Sequence, residues 1–232
     1  MLINADAKAL EWLAATYLSK DKTAYGEIIA GTDQHSDNQQ RLKLPTRLIA
    51  KTFLFRLIYG GSAYAYANDP EFTAVSSSDK FWQKLIEEFY SKYSGLYQWH
   101  GNLMREVVRT GKIVMPTGRE YAYQKHRGEW PRTTILNYPV QGFGADLMAI
   151  ARVSLYRRLR ASSLTCKLIC TVHDSIVLDA HDSEVDNVVQ MIYDVWKDIP
   201  VNYQRLFGSK FDLPCKVEIS VGPDWHNLVE IK

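Results

Sequence analysis

Arg47-Leu-Ile-Ala-Lys51-Thr-Phe-Leu-Phe55-Arg-Leu-Ile-Tyr59-Gly60 is the stretch of this 232-residue chain on which the reading of the fold turns. On a helix, residues four apart lie on neighbouring turns, so Arg47, Lys51, Phe55 and Tyr59 form one slowly drifting stripe of two cations followed by two aromatic rings. Two cations one turn apart can hold phosphate oxygens, and flat rings further along offer stacking or sugar-packing surface, which together describe a nucleotide. The same spacing also fits an amphipathic helix whose rings are core and whose cations are solvated. Pro45 suits the first turn of this helix, and Gly60-Gly61 suit its end because glycine takes the positive φ of a helix C-terminus.

Outward from the stripe, charge is unevenly placed. The formal net charge is only +2, yet residues 41–56 carry five bases and no acid, and residues 105–132 carry a local charge of +4. Such runs suit a polyanion. A composition of 46% hydrophobic and 23% charged residues excludes intrinsic disorder. No run approaches the roughly 18–20 apolar residues of a membrane span. The N-terminus lacks a basic start and apolar segment, so a cytoplasmic address with no membrane partner is expected. Cys166, Cys170 and Cys215 form no CxxC pair and read as packing residues in a reducing compartment.

The periodicities predict a mixed α/β chain. Strands are expected at residues 2–6, 167–172, 176–180 and 215–221, with a tight hairpin at His173-Asp174-Ser175 and another around Pro116-Thr117-Gly118. Helices are expected over 9–18, 81–111 (one or two), 143–159 and 185–199, with a loop over 67–80. Asp6 at the end of an apolar strand and Asp174 in a hairpin turn are candidate ligands for divalent cations. An Asp in a turn is by itself usually only a turn residue. His100, His126, His181 and His226 lack metal-ligand spacing and read as structural or surface residues.

Asp6-x4-Glu11, the complete Arg47-x3-Lys51-x3-Phe55-x3-Tyr59-Gly60, and His173-Asp174, in that order, resemble motifs A, B and C of the family A (polymerase I-like) DNA polymerases. Asp33-Gln-His35-Ser, Gly118-Arg119, Asn137-x3-Gln141-Gly142 and Val217-Glu-Ile-Ser-Val-Gly-Pro-Asp-Trp225 also look like family segments, so the resemblance covers nearly the whole chain. It implies a phage-like C-terminal portion of a right-hand polymerase: an antiparallel palm sheet (1–20 and 131–232) with a helical fingers subdomain (21–130), without thumb or exonuclease. Carried over residue by residue, it implies that Asp6 and Asp174, with the Ala7 carbonyl, bind two Mg²⁺ ions, Mn²⁺ being an alternative. Arg47, Lys51 and His35 would serve the triphosphate, Lys51 also in catalysis, and Phe55 the sugar, where family members with Phe discriminate against dideoxynucleotides. Tyr59 would lie beside the nascent base pair, and Glu11 would gate the 2′-OH. Arg119, Asn137, Gln141 and His173 would contact primer-template DNA.

The sequence departs from the family where Lys8 replaces a common Ser and where Ser175 replaces the acid that commonly follows Asp174. The implied activity is DNA synthesis from dNTPs, as the C-terminal part of a split or truncated polymerase that needs a separate N-terminal polypeptide carrying the thumb, with or without an exonuclease. A single-subunit RNA polymerase-like fragment shares both Asp residues and often the His-Asp-Ser form, although Glu11 and Phe55 argue against it. A non-catalytic nucleic-acid-binding remnant is the third reading, opposed by retention of both acids and every motif B position.

Overall fold

A computed structural model describes residues 1–231. In chain order these form β1 (Leu2–Ala7), α1 (Leu10–Ser19), α2 (Lys22–Ala30), α3 (Gln34–Arg41), α4 (Arg47–Ile58), α5 (Ala63–Ala67), α6 (Pro70–Thr73), α7 (Asp79–Lys92) and α8 (Ser94–Thr110). There follow β2 (Lys112–Val114), β3 (Glu120–Ala122), α9 (Arg132–Ala161), β4 (Lys167–Val172), β5 (Ser175–Asp179), α10 (Val185–Lys197), α11 (Ile199–Phe207), β6 (Val217–Gly222) and β7 (Val229–Ile231). The expected mixed α/β class, with an antiparallel sheet, is what the chain adopts. It divides into two compact units. One is Met1–Leu13 with the chain from Gly142 onward, the other Ala14–Gln141. No helix among the described residues is long and apolar enough to cross a membrane.

The first unit is built on a five-stranded sheet in the order β4-β5-β1-β6-β7. Along β1 burial alternates strictly, with Ile3, Ala5 and Ala7 buried and Leu2, Asn4 and Asp6 partly open, the period-2 signature of a strand with one core face. Ile176 and Leu178 of β5 and Ile219 of β6 bury on that core face too. Within the same unit, Phe143, Tyr203 and Phe211 pack as a ring cluster with centroids 5.4–5.8 Å apart. Gly144 lets Leu10 approach, since a Cβ there would sit 3.2 Å from Leu10 Cδ2.

The second unit is helical except for the β2–β3 hairpin. Its α4 buries Ala50, Phe53, Leu54, Leu57 and Ile58, the i, i+3, i+4, i+7, i+8 face of an amphipathic helix. Phe53 meets Tyr66, Trp82 and Phe89 at 5.0–6.2 Å, and Phe72 closes on Tyr66 and Trp82. Each such ring contributes roughly 1.5–3 kcal/mol by leaving water. The polar handles are satisfied inside the cluster, Tyr66 donating to the Phe53 carbonyl at 2.9 Å and Trp82 Nε1 to the Ser76 carbonyl at 2.7 Å. Lys92 of α7 lies between Glu27 of α2 and Asp37 of α3, at 2.7 and 2.6 Å, and so fixes α3 against its neighbours.

Several boundaries differ from expectation for identifiable reasons. Thr46 is the N-cap of α4, its hydroxyl accepting from the Ile49 N–H at 3.1 Å, so Pro45 precedes the helix instead of occupying its first turn. The expected loop over 67–80 contains α6, which Asp69 caps and Pro70 starts. Helix α9 begins at Arg132 and runs through Pro139, well ahead of residue 143. The predicted helix 185–199 is α10, ending at Lys197, with a second helix, α11, beyond it. The last strand starts at Val217 instead of residue 215, and β7 pairs with it.

Candidate active site

The acids and the cationic stripe fall in different units. In the first unit, β1 is the central strand, and its residue Asp6 pairs with Ser175 on β5 and Glu218 on β6. Strands β4 and β5 are joined by the two residues His173 and Asp174, with Val172 opposite Ser175. His173 takes the turn's left-handed φ of 53°. The Ala7 N–H donates to the Asp174 carbonyl at 2.9 Å, which carries the ladder one step further and sets Asp174 beside the Asp6-Ala7 backbone. Register alone therefore brings together two acids distant in sequence. Asp174 is partly open to solvent. The carboxylates of Asp6 and Asp174 and the carbonyl of Ala7 are all hard oxygen donors, the chemistry Mg²⁺ or Mn²⁺ requires, so the residues present fit such ions. Glu11 stands in the first turn of α1, in this same unit.

In the second unit, α4 turns its stripe away from its own core. Arg47 and Lys51 are exposed, and Phe55 and Tyr59 are only half-buried. The rings are thus not core residues. Arg47 makes a two-pronged ion pair with Asp33, Nε and one Nη donating at 2.9 and 3.1 Å. Asp33 also caps α3, accepting from the N–H groups of His35 and Ser36 and from the Ser36 hydroxyl. Burial pushes the Asp33 carboxyl up, but the hydrogen bonds from Arg47, Ser36 and His35 outweigh it and hold the group well below the usual carboxylate range. His35 packs 5.6 Å from the Phe55 ring, and Lys51 Nζ lies 5.8 Å over that ring. His35 Nδ1 is buried with no hydrogen-bond partner among the described residues. The structure therefore gathers Asp33, His35, Arg47, Lys51 and Phe55 into one cluster.

Tyr59 ends α4, and its hydroxyl accepts from Gln141 Nε2 at 2.5 Å. Asn137 lies one turn before Gln141 on α9. Gly60 has a φ of +85°, and a Cβ there would stand 2.8 Å from Leu136 Cδ1, so the Tyr-Gly pair is fixed by backbone conformation and space together. Arg119 is exposed at the β2–β3 turn. Asp33 stands in a family-like segment of the sequence, but its pairing with Arg47 is not announced there; the only local signal is an Asp at a helix N-cap position.

Burial, then the positive charges of Arg47 and Lys51, lower the His35 pKa from 6.5 to about 4, against the pull of Asp33. His100, whose Nδ1 lies 3.0 Å from the Tyr90 hydroxyl, is lowered to about 3 by burial and by Arg132. Both rings are neutral when folded at pH 7. Because both folded values lie below 6.5, the unfolded chain binds more protons throughout the window, and stability is complete above about pH 6.5 and falls as pH drops toward 4 and 3. Each ring is expected to withdraw on the order of a few kcal/mol by pH 4. Urea unfolding between pH 7 and 4 should show a stability slope that His100→Gln flattens. An unchanged slope would refute the assignment.

Three comparisons bear on this arrangement. The family model described as DNA polymerase family A matches residues 1–227. The chain is similar to DNA polymerase I of Chloroflexus aurantiacus, 26% identical over 239 residues that cover 97% of this chain and 24% of that protein. It is also similar to the thermostable DNA polymerase I of Thermus aquaticus, 25% identical over 244 residues, covering 99% and 27%. Among solved structures it resembles the POL domain of Pol1 from M. smegmatis in complex with DNA primer-template and dNTP. The TM-score is 0.81 at 20% identity, over 97% of this chain and 40% of that one. The chain spans about a quarter of the length of these curated relatives.

Proposed function

Because the chain belongs to DNA polymerase family A, a model of which matches residues 1–227, we propose that it carries out the nucleotidyl-transfer step of template-directed DNA synthesis. In that step the primer 3′-oxygen bonds to the α-phosphorus of a dNTP, the bond from that phosphorus to the bridging oxygen breaks, and pyrophosphate leaves. The observation that carries the reading is the α4 stripe: its cations and rings are displayed off the core, on a helix whose other face is fully used for packing.

In this reading the sheet-bearing unit is the palm and the helical unit the fingers. Asp6 and Asp174, with the Ala7 carbonyl, would hold two Mg²⁺ ions, which when bound would supply Lewis-acid activation of the 3′-OH and charge compensation for the departing pyrophosphate. Arg47 exchanges its Asp33 carboxylate for phosphate oxygens, keeping the two-pronged geometry that a guanidinium offers either partner. Lys51, whose Nζ lies 5.8 Å from the Phe55 ring centroid, neutralises charge developing on the transferred group. His35 stays neutral and offers its unpartnered Nδ1 as a hydrogen-bonding group toward the phosphates. Phe55 packs on the sugar, Glu11 excludes a 2′-OH, and Tyr59, steadied by Gln141, lies beside the new base pair. Asn137, Gln141, Arg119 and His173 contact primer or template. Since the chain spans about a quarter of its curated relatives, the remaining parts of a polymerase would come from further polypeptide, in the same chain or in a separate partner.

The test is single-turnover extension of a labelled primer-template by excess protein with Mg²⁺ and either dNTPs or rNTPs. Templated addition with a clear dNTP preference is expected. A preference for rNTPs, or no incorporation either by this chain alone or with the further polypeptide supplied, would overturn the proposal.

A further inference from the structure

The row of side chains beside Asp6 holds one acid for which nucleotidyl transfer supplies no role. Asp6 is paired directly with Ser175 of β5 on one flank and Glu218 of β6 on the other. Directly opposed residues on antiparallel strands share a face, with Cβ atoms about 4.5–5.5 Å apart. Glu218 therefore starts within reach of any ion held by Asp6. It does not join the acids, since no group of three or more His, Cys, Asp or Glu able to hold a metal is found among the described residues. Its Oε1 lies instead 2.5 Å from Lys8 Nζ. Lys8 is held two residues beyond Asp6 by its backbone, whose N–H donates to the Lys216 carbonyl at 3.0 Å. Both side chains are more than two-fifths exposed, and exposed pairs of this kind add little to stability. The other flank is uncharged, the Ser175 hydroxyl donating to the Val172 carbonyl at 3.0 Å. Asp6 thus has a neutral neighbour on one side and a neutralised acid on the other.

We infer that Lys8 is a positioning residue that ties Glu218 out of the ion-binding set, keeping it a two-carboxylate site with correspondingly weak grip on divalent cations. The inference rests on the reading of Asp6 and Asp174 as the ion-binding pair. Ligand charge count tunes the affinity of oxygen-donor sites. Releasing Glu218 adds a carboxylate and removes a cation from the same surroundings.

The test is titration of the full chain with Mn²⁺ alone, reading free Mn²⁺ by electron paramagnetic resonance. Lys8→Met is expected to tighten binding about tenfold, the scale on which neighbours of metal ligands act. Lys8→Arg should match the parent, and Lys8→Met/Glu218→Gln should return to it within about threefold. Circular dichroism melts check each variant, and Lys8→Gln replaces Lys8→Met should the latter unfold. No tightening in Lys8→Met, from a measurable baseline or from none, overturns the inference. So does tightening that persists in the double variant, because then the lost positive charge is the cause and Glu218 is not. Mn²⁺ binding that depends on Asp174, by comparison with Asp174→Asn, but not on Lys8 sinks only this inference. Binding indifferent to Asp174 takes the ion-binding reading down as well.

Discussion

Asp174→Asn is expected to reduce primer extension by about a thousandfold or more, since in the proposed reaction the carboxylate holds the ions that supply several kcal/mol of transition-state stabilisation. The same change should leave the fold undisturbed. Asp174 sits in a two-residue turn, partly open to solvent. Asn is nearly isosteric and is itself a favoured turn residue, so stability should stay within about 0.5 kcal/mol of the parent. Activity and stability are thereby separated in one variant. Single-turnover extension and a urea melt on the same preparation measure both. Extension within tenfold of the parent would show that Asp174 is only a turn residue.

The largest expected loss of stability lies elsewhere, at Asp21. The residue is 2% exposed, and its carboxylate accepts three backbone N–H groups, those of Ala24 at 2.9 Å, Gly95 at 2.7 Å and Leu96 at 3.1 Å. One oxygen caps α2 and the other serves the first residues of α8, so a single side chain closes two helix starts. Asp21→Ala leaves three donors unmet in a site that water does not reach, at about 1–3 kcal/mol each, for a total on the order of 4 kcal/mol. Asp21→Asn keeps one acceptor but turns an NH₂ group toward donors, and should fall between. Gly95 belongs to the same arrangement, because a Cβ there would stand 2.8 Å from Asp21 Cα. Denaturant midpoints for the three proteins test the order parent, Asn, Ala. An Ala variant within 1 kcal/mol of the parent would contradict it, by the scale of a single lost cap.

Much of the local structure that carries the candidate site was legible in the sequence because its spacing is local. The Arg47, Lys51, Phe55, Tyr59 stripe is a four-residue repeat, and a helix converts such a repeat into a face without help from distant residues. Strand β1 was legible because alternation and the acid at its end coincide. The remainder depended on partners that no local pattern announces. Helix α3, Gln-His-Ser-Asp-Asn-Gln-Gln-Arg, has no apolar stripe and is held by the Asp33 cap and by Lys92 pulling on Asp37. Helix α11 was hidden behind Pro200, which breaks a helix from within but starts one at its first turn. Strand β7 has three residues and exists only through β6. The pairs Lys8 with Glu218 and Tyr59 with Gln141 join residues 210 and 82 positions apart, separations at which only the folded backbone decides contact.

The ion pair between Arg47 and Asp33 bears on how sharply a ligand can be judged. A free arginine side chain carries about 2 kcal/mol of rotamer entropy, which a ligand must ordinarily suppress before its contacts count. Here the guanidinium is oriented by two hydrogen bonds to a carboxylate that α3 holds in place, in a pair about half exposed to solvent. In the proposed reading a triphosphate would meet a donor fork already pointed by its resting partner, and would bind there only by displacing Asp33. The resting pair would then set a modest threshold that a weakly charged molecule does not cross.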